Sequence, residues 1–182
     1  MGLIDSGKAE ALRKKLGLSY DQLFGIRFAI NVAIATTIVW ITLKLIDDTN
    51  PIWAIASMVA ASDPDPVEAK RMFRSRIINV LVGCGVGLVF ILLGGTSAWM
   101  LPLALAATVI VSTFYVRVKT MWRQAPITAA VVIAASVLEG TRVAGLGHGL
   151  HKVGEVIFGC LVGIGVSLLM SRVWIIHLPD KK

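Results

Sequence analysis

Two ionisable side chains stand together at the start of the last apolar run of this 182-residue chain. Lys152 precedes Glu155 by three residues, which places both side chains on one face of a helix. We interpret Lys152 as lying at a helix N-terminus, where the helix dipole disfavours a cation, so an anion that visits the site or Glu155 must compensate its charge. A buried Glu155 would hold a proton more readily and could exchange it. The alternative is a purely structural ion pair.

Four further polar residues lie within or beside other apolar runs. Arg27 and Asn31 are one helical turn apart on the same face of the first run. Arg76 and Asn79 are three residues apart, as are Lys152 and Glu155. A guanidinium can bind a carboxylate through two parallel hydrogen bonds, which suits an organic anion. The alternatives are that Arg27 extends its head to the membrane surface and that the basic run ending at Arg76 sets topology.

One aromatic and two imidazole side chains add two further hypotheses. Trp53 lies in a short apolar run and could stack on an aromatic ring, although tryptophans also form belts at membrane interfaces. His148, His151 and Glu155 share one helical face and could bind a transition metal. No second cluster completes such a site, so we expect neither a bound metal nor a cofactor.

The composition favours a membrane protein. Apolar types make up 56% of the chain and charged types only 16%. Soluble domains usually carry about 25% charged residues. The formal net charge of +7 comes from basic residues in the loops between apolar runs, which indicates membrane topology and not nucleic-acid binding. No arrangement of a nucleophile beside a base is recognisable, so we do not expect an enzyme.

Six apolar runs predict an all-α integral membrane protein with six transmembrane helices. They span residues 24–46, 52–61, 77–93, 100–116, 125–138 and 153–170. The second and fifth runs are short, and the second covers only about half of a ~30 Å hydrocarbon core at ~1.5 Å per residue. Ser19 and Gln22 form a capping-box pattern, which predicts that the first helix begins near Tyr20. A glycine-rich loop is expected over 139–152.

The charges and runs divide the chain into three parts. Residues 1–19 are expected to lie on the membrane surface as a basic amphipathic segment, 20–172 to form the transmembrane domain, and 173–182 to form a tail. With six spans, all Lys and Arg residues except Lys44, Arg142 and Lys152 fall on one side of the membrane. Both termini are therefore predicted to be cytoplasmic.

The two halves of the transmembrane domain share a motif. The spacing of four residues recurs: Arg76, Asn79, Gly83 and Gly87 against Lys152, Glu155, Gly159 and Gly163. Three helices in each half, over 20–95 and 96–172, make the second copy inverted, which is typical of transporters. The alternative is a chance likeness of short apolar runs. The Gly-x-x-x-Gly pairs allow close helix contacts, and we expect the third and sixth helices to cross near a pseudo-two-fold axis.

These motifs resemble the fusaric acid resistance (FUSC) family, also called the aromatic acid exporter family. The pattern combines a Trp in a short helix, prolines, a basic run and a glycine-rich helix: Trp53, Pro64, Pro66, Arg71 to Arg76, Gly83 and Gly87. Lys152 stands where Arg is usual, and Asn79 where a first Gly is usual. The resemblance covers about 20–172 and implies a bacterial-type inner membrane protein. It also implies a homodimer, because long members carry two such units.

Taken together, these features predict a protein that exports organic anions, specifically aromatic carboxylates. Capture by Arg27, Arg76 and Lys152 is expected, with Glu155 exchanging protons. Asn31, Trp53 and Asn79 are predicted to line the same route. The expected partners are a small organic anion, the lipid bilayer and a second copy of the chain, and not nucleic acid. A passive anion channel on the same scaffold is the first alternative, because plant malate channels are similar in architecture. A non-transporting structural protein is the second.

Overall fold

The computed structural model describes residues 15, 17–46, 50–94, 97–116 and 124–174. Over these ranges the fold is all-helical, as predicted. The helices are α1 (Tyr20–Leu45), α2 (Ile52–Ala61), α3 (Pro66–Gly94), α4 (Met100–Val111), α5 (Ala125–Glu139) and α6 (Arg142–Val173). A π-helical turn over Ser112–Val116 continues α4. Most of the predicted surface segment, most of the tail and the basic 117–123 loop lie outside the described residues.

The start of α1 follows the local sequence signal. The backbone N–H of Ser19 donates to Oε1 of Gln22 (2.8 Å), and the backbone N–H of Gln22 donates to Oγ of Ser19 (3.2 Å). This reciprocal pair satisfies two of the backbone donors that lack partners at a helix start, which confirms the predicted capping box. Only every fourth residue of α1 is buried: Leu23, Arg27, Asn31, Ala35, Val39 and Leu43. The other faces are largely apolar and exposed, as expected for a helix surrounded by lipid.

Three of the helices are long and apolar enough to cross a membrane: α1, α3 and most of α6. The other three, α2, α4 and α5, are shorter apolar helices. The protein is therefore a multi-pass membrane protein. The α2 helix has only ten residues. At ~1.5 Å per residue it extends about 15 Å, which is half of a bilayer core.

Two of the shorter helices, α2 in the first half of the chain and α5 in the second, each pack against a long helix of the other half. A Cβ placed at Gly159 of α6 would overlap the backbone of Ala54 in α2, and one at Gly83 of α3 would overlap the carbonyl oxygen of Ala125 in α5. The second glycine of each pair continues the same contact, since Gly87 faces Val132 of α5. The Gly-x-x-x-Gly motifs thus seat the short helices, while α3 and α6 also contact one another.

The beginning of α6 corrects the sequence-based prediction. The sequence predicts a glycine-rich loop that extends to residue 152, but the helix begins at Arg142, and only Gly140 and Thr141 separate it from α5. Gly140 adopts a positive φ of 65°, which ends α5 at a position suited to glycine. A Cβ at Gly145 would collide with Ser136 of α5. Close packing on α5 thus outweighs the helix-weakening effect of the glycines in the first part of α6.

Candidate functional site

A cleft of about 560 Å³ opens between the ends of several helices. Its walls come from the end of α1, the start of α2, the second half of α5 and the first half of α6. The lining residues are Ile46, Asn50, Trp53, Val131, Ala134, Ala135, Leu138, His148, His151 and Lys152. An apolar cavity of about 310 Å³ adjoins it, shares Ile46 and His151, and reaches Glu155. The cleft has the size and mixed lining that are usual for small-molecule sites.

The predicted pair on α6 is present and lies at this cleft. Lys152 Nζ donates to Oε1 of Glu155 over 2.6 Å and lies 3.5 Å from the carbonyl oxygen of Asn50. The Glu155 side chain is 3% exposed and the Lys152 side chain 14%. Such a buried pair is stable only while both charges are matched. The same geometry also fits the structural-pair alternative.

The explanation that the sequence suggested for Lys152 is wrong. Because α6 begins at Arg142, Lys152 lies about three turns inside the helix and not at its N-terminus. The helix dipole therefore does not disfavour its charge there, since that effect fades within the first turn. What balances Lys152 is Glu155 at i+3, which receives its shortest hydrogen bond.

The imidazole of His151 contacts the same carboxylate oxygen. Its Nδ1 lies 3.0 Å from Oε1 of Glu155, and its side chain is 62% exposed. His148 lines the cleft about one turn earlier. Over the ranges that the structure describes, no group of three His, Cys, Asp or Glu side chains could hold a metal ion.

Trp53 supplies the aromatic wall of the cleft. It lies near the start of α2, is 38% exposed and lines the same space as Lys152. The cleft thus combines an indole, two imidazoles, an ammonium group and an apolar wall from α5. A ligand with an apolar ring and a carboxylate matches this combination.

Arg76 and Asn79 lie apart from the cleft, buried between α3 and its neighbours. Arg76 Nη2 donates to Oγ of Ser57 in α2 over 3.0 Å, and Asn79 Nδ2 donates to the carbonyl oxygen of Ser75 over 2.9 Å. Arg76 Nε and Asn79 Oδ1 have no hydrogen-bond partner among the described residues. Arg76 lies about 15 Å along α3 from its first residue. A guanidinium is therefore held deep inside the bundle.

Sequence reasoning missed Ser57, which holds Arg76. It is fully buried in α2, and its carbonyl oxygen also lies 3.7 Å from Sγ of Cys160 in α6. The available signal was a single hydroxyl within an otherwise apolar short helix, where polar side chains commonly bond to a neighbouring helix.

Arg27 and Asn31 form a third polar place, on α1. They are 3% and 1% exposed, so Arg27 turns into the bundle and does not extend to the surface. Arg27 Nε and Nη2, and both polar side-chain atoms of Asn31, have no hydrogen-bond partner in the described part of the chain. The carboxylate of Asp65, in the α2–α3 turn, attracts Arg27 electrostatically. Buried donors without partners are costly, which makes this pair a candidate anion contact.

The seven predicted site residues fall into three places in the structure. Trp53 and Lys152 line the cleft, and Glu155 binds Lys152 and lines the adjoining cavity. The Arg76–Asn79 pair and the Arg27–Asn31 pair lie elsewhere in the bundle.

These features define a helical multi-pass membrane protein with buried cationic groups and a cleft of mixed polar and apolar lining. The model of the fusaric acid resistance protein-like family matches residues 26–170, and the chain belongs to that family. It is a family of membrane transporters and not of enzymes. No curated protein and no solved structure matches the chain.

Proposed function

We propose that this protein exports organic anions, specifically aromatic carboxylates, with Glu155 exchanging protons during the cycle. Membership of a transporter family supports the general role. The observation that carries the specific proposal is the cleft in which Trp53 lies near the Lys152–Glu155 pair. A ligand that binds there would place its ring against the indole and its carboxylate against the ammonium group.

The pair links the anion to a proton. While Glu155 is ionised, its Oε1 accepts from Lys152 Nζ over 2.6 Å and competes with any carboxylate for that donor. Protonation of Glu155 removes the competing charge, and Lys152 can then donate to the ligand. The affinity for the anion should therefore rise as the pH falls. An anion and a proton occupy the site together, so loading it adds no net charge.

The packing of the short helices supports six spans arranged as two inverted repeats. The Gly159 contact with Ala54 has its counterpart in the Gly83 contact with Ala125, and each joins a short helix of one half to a long helix of the other. Exchange of elements between halves is what a pseudo-two-fold axis in the membrane plane would produce.

The remaining buried cations lie along the rest of the proposed route. Arg76 with Asn79, and Arg27 with Asn31, present donors that could receive a carboxylate when the helices rearrange. In this topology both termini face the cytoplasm of a bacterial-type inner membrane, and the Lys152 cleft opens on the opposite side. The proposed assembly is a homodimer.

Proteoliposomes loaded with labelled hydroxybenzoate test this function. Efflux of the label would be followed together with an internal pH dye and the current on a solid-supported membrane, with protein-free liposomes setting the passive leak. Saturable efflux that removes protons from the lumen and gives only a small transient current is the expected result. A large sustained current without proton movement would instead make the protein a passive anion channel. No flux across a panel of organic anions would contradict the anion proposal and favour a structural role.

A further inference from the structure

We infer that His151 carries protons between the cleft and Glu155, a role that goes beyond anion capture. This inference rests on the proposed function, in which Glu155 gains and loses a proton. Glu155 is almost completely buried, with a side chain 3% exposed, so water reaches its carboxylate poorly. A group that contacts both the carboxylate and the aqueous cleft would remove that obstacle.

His151 contacts both the buried carboxylate of Glu155 and the cleft. Its Nδ1 lies 3.0 Å from Oε1 of Glu155, while 62% of its side chain is exposed. The separation of the two atoms is within hydrogen-bond range. The residue lines both the cleft and the adjoining apolar cavity that reaches Glu155. The imidazole is thus a two-ended group, with one nitrogen on the buried carboxylate and the rest of the ring facing the cleft.

The proton transfer balances without any further reactant. A neutral imidazole that carries its hydrogen on Nδ1 accepts a proton from hydronium at Nε2, which leaves water and an imidazolium. The Nδ1 proton then passes to Oε1 of Glu155, which leaves neutral His151 with its hydrogen on Nε2 and a neutral carboxylic acid. Release follows the reverse route: the proton of Glu155 returns from Oε1 to Nδ1, and the Nε2 proton leaves to water, which restores the neutral Nδ1 form. Histidine suits this role because its ordinary pKa lies near neutrality.

The neighbouring charges favour this route. Within the described ranges, the titratable groups at the cleft are His148, His151, Lys152 and the Glu155 carboxylate beneath them, all on α6. The other helices contribute apolar or uncharged side chains here, including Ile46 from the end of α1, Trp53 from α2 and Ala134 from α5. Lys152 donates to the same oxygen of Glu155, so it stabilises the ionised carboxylate, while the more exposed imidazole faces the cleft.

Transport kinetics of purified variants in liposomes test the inference. After a rapid pH step in the presence of hydroxybenzoate, proton uptake would be followed with an internal dye for the wild-type protein, His151→Ala, Gly165→Ala and Glu155→Gln. We expect His151→Ala to slow proton uptake on the order of 10²-fold, as is typical when a proton-transfer group is lost. The control Gly165→Ala, whose new methyl group meets open space away from the cleft, should stay near the wild-type rate. Added imidazole should restore His151→Ala, because the exposed position leaves room for the free base.

Equilibrium binding separates a proton carrier from a structural residue. His151→Ala should still bind hydroxybenzoate with an affinity that rises as the pH falls, since Glu155 and Lys152 remain. Wild-type proton-uptake kinetics in His151→Ala, or slow kinetics that imidazole leaves unchanged, would overturn the role of His151 alone. Absence of coupled proton movement in the wild-type protein, or its persistence in Glu155→Gln, would instead overturn the proposed function on which this inference rests.

Discussion

Arg76 and Lys152 occupy matching places in the two halves of the sequence but differ in their surroundings. Lys152 lines an open cleft and is balanced by Glu155, whose Oε1 lies 2.6 Å from its Nζ. Arg76 is enclosed by the bundle, donates to the hydroxyl of Ser57 and has Asn79 where the other half has an acid. One half thus presents an ion pair that a proton can open, while the other holds a fixed positive charge. In the proposed function, the two halves of the chain therefore carry two distinct tasks.

The largest effect on ligand affinity should come from replacing Lys152, and the same replacement of Arg76 is the matched comparison. Lys152→Met should weaken hydroxybenzoate binding about 10-fold to 100-fold, because a charged hydrogen bond contributes about 1.5–3 kcal/mol. Arg76→Met should leave binding at the cleft within about 2-fold, since Arg76 does not line it. Titration calorimetry of both purified variants at one acidic pH measures this directly. Equal losses of affinity would show that the two positions act as one site.

The packing equivalence of the halves predicts matched losses of stability. Gly159→Ala and Gly83→Ala should each lower the free energy of unfolding by about 1–3 kcal/mol, because the new methyl group meets backbone of a short helix. The controls Gly165→Ala and Gly85→Ala place the methyl group in open space and should be neutral or slightly stabilising. Unfolding in detergent compares the four variants. A loss at only one of the two contact glycines would argue against the symmetry.

The smallest effect concerns the aromatic wall. Trp53→Leu should reduce the affinity for hydroxybenzoate by about 2-fold to 12-fold, the equivalent of about 0.5–1.5 kcal/mol for an aromatic pair. An aliphatic carboxylate of similar size should bind the variant and the wild-type protein alike. Trp99→Leu is the matched control, since Trp99 is 81% exposed and does not line the cleft. A uniform loss for both ligands would mean that Trp53 supports the fold and does not contact the ring.

Local signals predicted the parts of this fold that depend on neighbouring residues. The capping box fixed the start of α1, and the i,i+3 spacing was enough to predict the Lys152–Glu155 contact. The early start of α6 was missed, because glycine-rich sequence is intrinsically poor in helix. Its helix forms through packing of Gly145 on Ser136, which only the tertiary structure reveals.

Contacts between helices also decided which polar residues meet. The hydrogen bond from Arg76 to Ser57 joins residues on two helices, and no periodicity in the sequence relates them. The predicted topology places Arg27 and Lys152 on opposite sides of the membrane, but no pattern in the sequence predicts the distance between them. Composition and residue type could predict the chemistry of each group, but not its distance from the others.

Linked binding of a proton and an anion is the central claim, and calorimetry with Glu155→Gln tests it most directly. The dissociation constant for hydroxybenzoate would be measured between about pH 6 and 8, where a benzoate-type carboxylate stays ionised. We expect the wild-type protein to bind more tightly as the pH falls, with proton uptake on binding. Glu155→Gln should lose most of this pH dependence and bind with an affinity close to that of the wild-type protein at the acidic end. A pH-independent affinity in the wild-type protein, or an unchanged slope in Glu155→Gln, would contradict the linkage.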